Sequence, residues 1–344
     1  GFIGSNLVRS LIRSGAEVLN VDALTYAGNT QSLADIASQR NYQFARLNIC
    51  DASAISAAIN EFRPTAIMHL AAESHVDRSI DGPLQFVNTN IVGTYHLLQS
   101  SLQFWRNLGA KERQEFRFLH VSTDEVYGSL GKEGLFTETT AYDPHSPYSA
   151  SKAASDHLAK AWFSTYGLPV LVTNCSNNYG PFQFPEKLVP TVVLKCLRNE
   201  TVPVYGKGEN VRDWLYVEDH CEALRAVLQR GRVGQTYNIG GNNQMRNIDL
   251  VRLLCDLVDE LSPASDSSKS RSSLISFVTD RPGHDFRYAI DASKILAELG
   301  WSPKQDSSSG FRSTVRWYLD NQDWWENILA GIYQLQRLGA TDPC

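Results

Sequence analysis

Short apolar runs alternate with stretches of helical periodicity through the first half of the chain, and that rhythm leaves few folds open. The candidate strands are Glu17–Val21, Gln43–Leu47, Ala66–Leu70, Phe116–Val121 and Pro169–Thr173. Between them lie helical patterns at Leu33–Ala37 and Ile55–Phe62, and a longer one from Leu84 to Asn107. Strands alternating with helices predict an α/β fold, with a parallel sheet covered on both faces. Ligands of such sheets bind outside the carboxyl ends of the strands, near a topological switch point.

The rhythm changes after Pro181. "PFQFPEKLVP" is Pro-rich and irregular, and helical stretches then mix with short strands such as Thr236–Ile239 and Leu274–Val278. The segment 262–273, "SPASDSSKSRSS", reads as a polar surface loop. A length of 344 residues suits roughly two domains. We expect a dinucleotide-binding domain over 1–180 and mainly a smaller substrate-facing lobe over 181–344, with segments near 211–240 returning to the first domain.

A net charge of −5 argues against a nucleic-acid-binding surface. No apolar run reaches the roughly 20 residues of a membrane span. The six cysteines are scattered without a C-x-x-C pair. That pattern favours reduced, buried thiols over a metal site or a disulfide framework, and with them a cytoplasmic address.

The chain opens "GFIGSN" and continues "LVRSLIRSG". A Gly-x-x-Gly running into an amphipathic helix has the form of a dinucleotide-binding turn, where backbone approaches a pyrophosphate at a helix N-terminus. Asp22 ends the next strand 18 positions beyond Gly4. An acid near that spacing binds the adenosine ribose and disfavours a 2′-phosphate, which selects NAD over NADP. Such a turn followed by an acid also occurs by chance. The expected fold is a Rossmann-type doubly wound sheet. Its first strand, and the earlier glycines of the turn, are missing from the sequence, so the chain reads as a fragment or as numbered from an internal point.

Two further stretches carry chemistry. In "STDEVYG", 122–128, Asp124 and Glu125 follow the apolar run Phe116–Val121, where neighbouring residues on extended chain would face opposite ways. A solvated acidic turn is the bland alternative. In "SPYSASKAASDHLAKAW", Ser146 is a helix N-cap and Pro147 the first helical residue. Tyr148 and Lys152 then lie four apart on one helix face. A tyrosine acting as a base near neutral pH needs a shift of about 3 units, roughly 4 kcal/mol. A neighbouring ammonium supplies part of it. The same pair is also met on ordinary surface helices.

Together, Gly-x-x-Gly, "STDEVYG" and "YSASK" resemble the extended short-chain dehydrogenase/reductase family. The stretches "LAAESHVDRSI", "NTNIVGTYHLL", "NCSNNYGPFQFPEKLVP", "VRDWLYVEDH" and "DRPGHDFRYAID" look closer still to its branch that dehydrates the nucleotide sugar dTDP-glucose. The resemblance spans nearly the whole chain. It implies that Tyr148, as phenolate, takes the C4 hydroxyl proton while hydride leaves C4 for NAD, with Lys152 keeping the phenolate charged. Thr123 would hydrogen-bond the C4 oxygen. The 4-ketone acidifies C5–H, which Glu125 removes, while a protonated Asp124 donates to the departing C6 hydroxyl. Hydride then returns to C6 as C5 is reprotonated. An acid and a base on adjacent carbons require two carboxyl groups with separated pKa values.

The same resemblance implies cofactor contacts from Gly1, Phe2, Ile3 and Gly4 at the pyrophosphate, and from Asp22, Ala23, Leu24 and Thr25 on the adenosine side. Asn48 and Ile49 would lie at the adenine edge, although the family often has Asp where Asn48 stands. Leu70, Ala71, Ala72, Glu73, Ser74, Thr89 and Asn178, with Tyr148 and Lys152, would complete the groove. For the nucleotide sugar the matches are Ser74, Thr123, Asn177, Lys187, Leu188, Pro203, Val204, Tyr205, Arg212, Asn247, Asp280, Arg281, Pro282, Gly283 and His284. Arg212 and Arg281 suit a diphosphate because guanidinium is planar and bidentate; the alternative is surface arginine. His284 has a loop cap as its alternative. His69 and His120 are read as packing residues and His75 is left open. The aromatic run 317–325 reads as packing. The resemblance also implies a homodimer joined through helices that begin near Leu84 and Tyr148.

Competing readings are a C4 epimerase, in which an acid–base pair at C5 and C6 would be idle, a UDP-glucose 4,6-dehydratase, and a non-catalytic NAD-binding scaffold.

Overall fold

A computed structural model describes residues 1–263, 270–280, 283–331 and 335. Helix α1 (Phe2–Arg13) leads to strand β1 (Val18–Val21), which pairs in parallel with β2 (Tyr42–Ala45). Helix α2 (Ala52–Phe62) precedes β3 (Ala66–His69). Short helices α3 (Val76–Asp81) and α4 (Pro83–Phe86) run through a π-helical segment, Val87–Gly93, into α5 (Thr94–Arg106). After α6 (Ala110–Glu115) come β4 (Arg117–Thr123), α7 (Pro147–Tyr166) and β5 (Val170–Cys175).

The remainder contributes β6 (Asn177–Tyr179), α8 (Leu188–Leu197), β7 (Val202–Tyr205), β8 (Val211–Tyr216), α9 (Val217–Arg230), β9 (Thr236–Ile239) and β10 (Gln244–Arg246). Then follow α10 (Asn247–Leu261), β11 (Ile275–Val278), α11 (Ser293–Leu299), α12 (Ser307–Asp320) and α13 (Gln322–Gly331).

The main sheet is parallel throughout, in the order β3-β4-β5-β9. Its strands read as continuous apolar runs because both faces are covered: Phe118, Leu119, Leu171 and Val172 are all buried. Each such side chain contributes roughly 1.5–3 kcal/mol on burial. The β1–β2 pair forms its own ladder. Strand β9 joins the main sheet although it follows β6, β7 and β8, and α9 packs against β4, β5 and β9. Residues beyond Pro181 also build a separate apolar core from α8, α10, α12 and α13, centred on Val192, Leu254 and Phe311. The aromatic run 317–325 belongs there, with Trp317 and Trp324 ring centroids 5.2 Å apart.

Three local expectations change. Leu33–Ala37 is no helix; a 3-10 turn, Thr30–Leu33, stands before it, capped where the Asn29 side chain accepts the Gln31 amide. The long pattern from Leu84 to Asn107 is interrupted by the π-helical segment. Within the 262–273 loop, 264–269 lie outside the described residues, and Arg271–Leu274 form a 3-10 turn tied to α10 through Arg271 and Asp259. No helix among the described residues is long and apolar enough to cross a membrane.

Candidate active site

Strand β4 does not stop at Val121. It continues through Ser122 and Thr123, which pair with Asn174 and Cys175 of β5, so backbone pairing outlasts the apolar run. The two acids therefore do not alternate across extended chain. They occupy a 3-10 turn, Asp124–Tyr127, capped by Thr123, whose Oγ1 accepts the Glu125 amide at 3.3 Å. At three residues per turn, consecutive side chains diverge by about 120°. The turn closes at Gly128 with φ +85°, and a Cβ there would collide with the Asp143 carbonyl. Only glycine meets both demands.

Helix α7 packs across this edge. Ser146 Oγ accepts the Ser149 amide and Ser149 Oγ accepts the Ser146 amide, each at 3.0 Å, a reciprocal cap with Pro147 in the first turn. Tyr148 and Lys152 both face inward, 8% and 5% exposed. The Lys152 ammonium donates to the Val121 carbonyl at 2.9 Å, and Asn174 Nδ2 donates to the Thr123 carbonyl at 3.0 Å. The surface-pair alternative for Tyr148 and Lys152 is thereby removed.

Asp124 is almost fully buried, and its Oδ2 has no hydrogen-bond partner. Burial pushes its carboxyl well above the usual range, and the charges of Glu125 and Asp213 push it further against the pull of Arg212. Glu125, by contrast, is only half-buried. In the ligand-free chain, burial and Glu125 raise the Tyr148 phenol, and the Thr123 hydroxyl opposes them. Burial lowers Lys152, and the Asp156 carboxylate opposes it. Cys175, beside this cluster, is pushed up to about 12 by burial and by Asp124.

The proposed cofactor residues fall on several elements. Gly1, Phe2, Ile3 and Gly4 form the first turn of α1, and a Cβ at Gly1 or Gly4 would meet nothing within 4 Å. Asp22 follows β1; its Oδ2 accepts the Gly1 amino group at 3.0 Å and its Oδ1 the Leu24 amide at 2.8 Å. Leu24, between Ala23 and Thr25, takes φ +52°. Asn48 is exposed and turns Oδ1 onto the Cys50 amide, while Ile49 is buried against Gly93. Leu70, Ala71, Ala72, Glu73 and Ser74 leave the end of β3, and Thr89 lies on the π-helical segment. Asn178 Oδ1 meets buried His220 Nδ1 at 2.8 Å.

Of the proposed sugar-nucleotide residues, Lys187 reaches the groove: its ammonium donates to the Ser74 carbonyl at 2.9 Å. Tyr205 donates to Asp77, and its ring lies edge-on to His284, which bonds Asp280 at 2.6 Å. Pro203 and Tyr205 are half-buried, whereas Val204 points into the second core, as Leu188 partly does. Arg212 is buried, donates to the Asp285 carbonyl at 2.9 Å and stacks over Tyr288 at 4.2 Å. Asn247 opens α10, with a buried Oδ1 that has no partner; Asn177 has another. Gly283 takes φ +64°. Arg281 and Pro282 lie outside the described residues.

Sequence reasoning missed several positioning groups. Asn90 accepts the Glu73 amide at 2.9 Å and donates to the Glu73 carbonyl at 3.0 Å and to Ser151 Oγ at 2.8 Å, pinning the 70–74 loop to α7. Glu186 accepts from Tyr26 and Arg78, and Arg78 stacks on Tyr26 at 3.8 Å, so the segment after Pro181 clasps the groove. His75 caps α3 by accepting the Arg78 amide. His69 bonds Thr94, and His120, read as mere packing, bonds Asp156. A polar residue recurring every four positions along α7 was the available signal for Asp156. Among the described residues no group of three or more His, Cys, Asp or Glu could hold a metal ion.

A parallel sheet, glycines opening helix α1, and an inward Tyr-x-x-x-Lys beside the end of β4 define a dinucleotide-dependent enzyme of the extended short-chain dehydrogenase/reductase class. A family model described as GDP-mannose 4,6 dehydratase matches residues 1–314. The chain belongs to that family. It is 56% identical over 341 residues to dTDP-glucose 4,6-dehydratase of Xanthomonas campestris pv. campestris, covering 99% of this chain and 97% of the relative. The crystal structure of dTDP-glucose 4,6-dehydratase from Streptomyces venezuelae, with NAD bound, matches at TM-score 0.87 and 42% identity, over 95% of this chain and 97% of that one. That of Bacillus anthracis, in complex with NAD, matches at TM-score 0.84 and 43% identity, over 95% and 96%.

Proposed function

We propose that this chain is an NAD-dependent hydro-lyase that converts dTDP-glucose to dTDP-4-keto-6-deoxyglucose. The observation that carries the reading is the pair Asp124 and Glu125 on one turn, the first buried and its carboxyl raised by that burial, beside Tyr148 and Lys152. An epimerase acting only at C4 has no use for an acid–base pair there.

The groove fits NAD. The α1 N-terminus, which is electropositive, is where a pyrophosphate would sit. Asp22 suits the ribose hydroxyls, while the 70–74 loop, Thr89 and Asn178 line the remainder. The chemistry left to bound NAD is to take up hydride from C4 and give it back at C6, so that no net oxidation results.

The protein's own groups do the proton work. Tyr148 Oη takes the C4 hydroxyl proton, and the Lys152 ammonium stabilises the phenolate. The Thr123 hydroxyl orients the C4 oxygen. Glu125 removes the C5 proton once C4 is a ketone, and gives it back to C5 when hydride arrives at C6. Asp124 delivers its proton to the C6 hydroxyl, which leaves as water. Arg212, Lys187 and Asn177, with Arg281, hold the nucleotide diphosphate.

An exposed apolar face supports a homodimer. Leu84, 69% exposed, stands with Val87, Val92 and Tyr95 along α4 to α5, and Phe163 and Tyr166 of α7 are exposed too. The five described cysteines are unpaired thiols, in keeping with a cytoplasmic address.

The test is incubation with dTDP-glucose deuterated at C4, followed by the alkaline absorbance of a 4-keto sugar and by mass spectrometry. Label recovered at C6 of the same molecule is expected. Label lost, or product epimerised at C4 with its C6 hydroxyl intact, overturns the reading.

A further inference from the structure

Tyr148 and Lys152 are two rungs of a longer ladder. Asp156 stands four residues beyond Lys152 on α7, so the three side chains share one helix face. Asp156 is fully buried. Its Oδ1 meets His120 Nε2 at 2.9 Å and its Oδ2 accepts from the Tyr142 hydroxyl at 2.9 Å. His120 is buried on the strand whose Val121 carbonyl holds the Lys152 ammonium. Ser155 ties the rungs together, donating to the Lys152 carbonyl at 2.8 Å and lying 3.3 Å from His120 Nε2.

A fully buried carboxylate is costly unless charge and hydrogen bonds compensate it. Here His120 and Tyr142 supply the bonds and Lys152 the opposite charge. We propose that Asp156 is a positioning residue that keeps Lys152 cationic and aimed at the Val121 carbonyl beneath Tyr148, with His120 and Tyr142 fixing the carboxylate. The site is then a Tyr148–Lys152–Asp156 ladder.

The charge pattern agrees. Burial alone would raise the Asp156 carboxyl, but the His120 bond and the charges of His120 and Lys152 bring it below its ordinary value. Burial and Lys152 lower His120, and its hydrogen bond to Asp156 opposes them. The other groups that face Lys152 are His69 from β3, lowered by burial, and Cys175 from β5. The turn after β4 brings Asp124 and Glu125, which act on Tyr148. Helix α3 carries Asp77, bonded to Tyr205, Arg78, bonded to Glu186, and Asp81; α5 carries His96 and Tyr95, whose ring packs on Trp162.

This inference rests on the role assigned to Tyr148 and Lys152, but its test needs no turnover. The Lys152 titration is followed in ligand-free protein by NMR of 13Cε-labelled lysine, assigned by loss of the signal in Lys152→Met. Asp156→Asn keeps the shape and both hydrogen-bonding positions. The expected result is a Lys152 midpoint lower by about one unit or more, the scale of a nearby opposite charge. In Tyr142→Phe the charge remains and the midpoint should hold. With dTDP-glucose and NAD, the basic limb of the pH–kcat/KM profile should move to lower pH in Asp156→Asn alone. Should Asp156→Asn unfold, melting temperatures of Lys152→Met, Asp156→Asn and the double variant close the cycle. A double variant that melts like Lys152→Met supports the ladder. An unmoved midpoint, equal shifts in Asp156→Asn and Tyr142→Phe, or additive melting losses overturn it.

Discussion

Asn90 brackets Glu73, accepting its amide at 2.9 Å and donating to its carbonyl at 3.0 Å, as a neighbouring strand would. The loop beyond β3 has no ladder of its own there, so one buried side chain from a π-helical segment replaces it. Asn90→Ala should leave both Glu73 groups unpaired, at about 1–3 kcal/mol each. Calorimetry should show a lowered melting temperature, and NAD affinity should fall with it. Unchanged melting and affinity would mean that water replaces the side chain.

Tyr148→Phe keeps the ring and its packing but removes the group that takes the C4 proton. Turnover should fall by about 10²–10⁴-fold, the usual worth of a positioned base. NAD binding, measured by fluorescence quenching, should be retained. Near-normal turnover removes Tyr148 from this role.

Glu125→Gln separates oxidation from elimination. Substrate should still be oxidised at C4, so reduced-cofactor absorbance should build up in a single turnover while water loss stalls. If substrate binds and no such absorbance appears, Glu125 also serves the first step.

Asp124 gives a pH signature. Its carboxyl is raised in the folded chain above its ordinary value of 3.8. Between those two values the native state binds the proton more tightly than the unfolded state. Its contribution to stability is therefore full below the ordinary value and lost as pH rises through the folded one. Asp124→Asn should melt above the unsubstituted chain at alkaline pH, with the gap narrowing on acidification. A gap of constant size at every pH would count against a raised carboxyl.

Leu84→Arg should break the apolar face along α4 and α5 without touching a core position. Sedimentation should report a dimer for the unsubstituted chain and a monomer for the variant. A dimer that persists places its interface elsewhere.

The sequence by itself determined what depends on short spacing. The strand–helix rhythm specified a parallel sheet because periodicity is local. Ser146 and Pro147 specified the start of α7, and four-residue spacing then put Tyr148 and Lys152 on one face. The adjacent acids were visible, but not their setting. Strand β4 outran its apolar residues because Ser122 and Thr123 found partners on β5, a pairing across about 50 positions of chain. That shift put Asp124 and Glu125 on a turn and sent them apart.

Only the tertiary structure decided which acid is buried and has its carboxyl raised. The burial of Asp124 comes from elements remote in sequence, and Asp213 and Arg212, which bear on it, lie nearly ninety residues away. The same holds for His120 and Asp156, 36 positions apart yet 2.9 Å from each other. Spacing along a helix is written in the chain. The dielectric around a carboxyl group is set by whatever packs against it, and that exists only once the chain has folded.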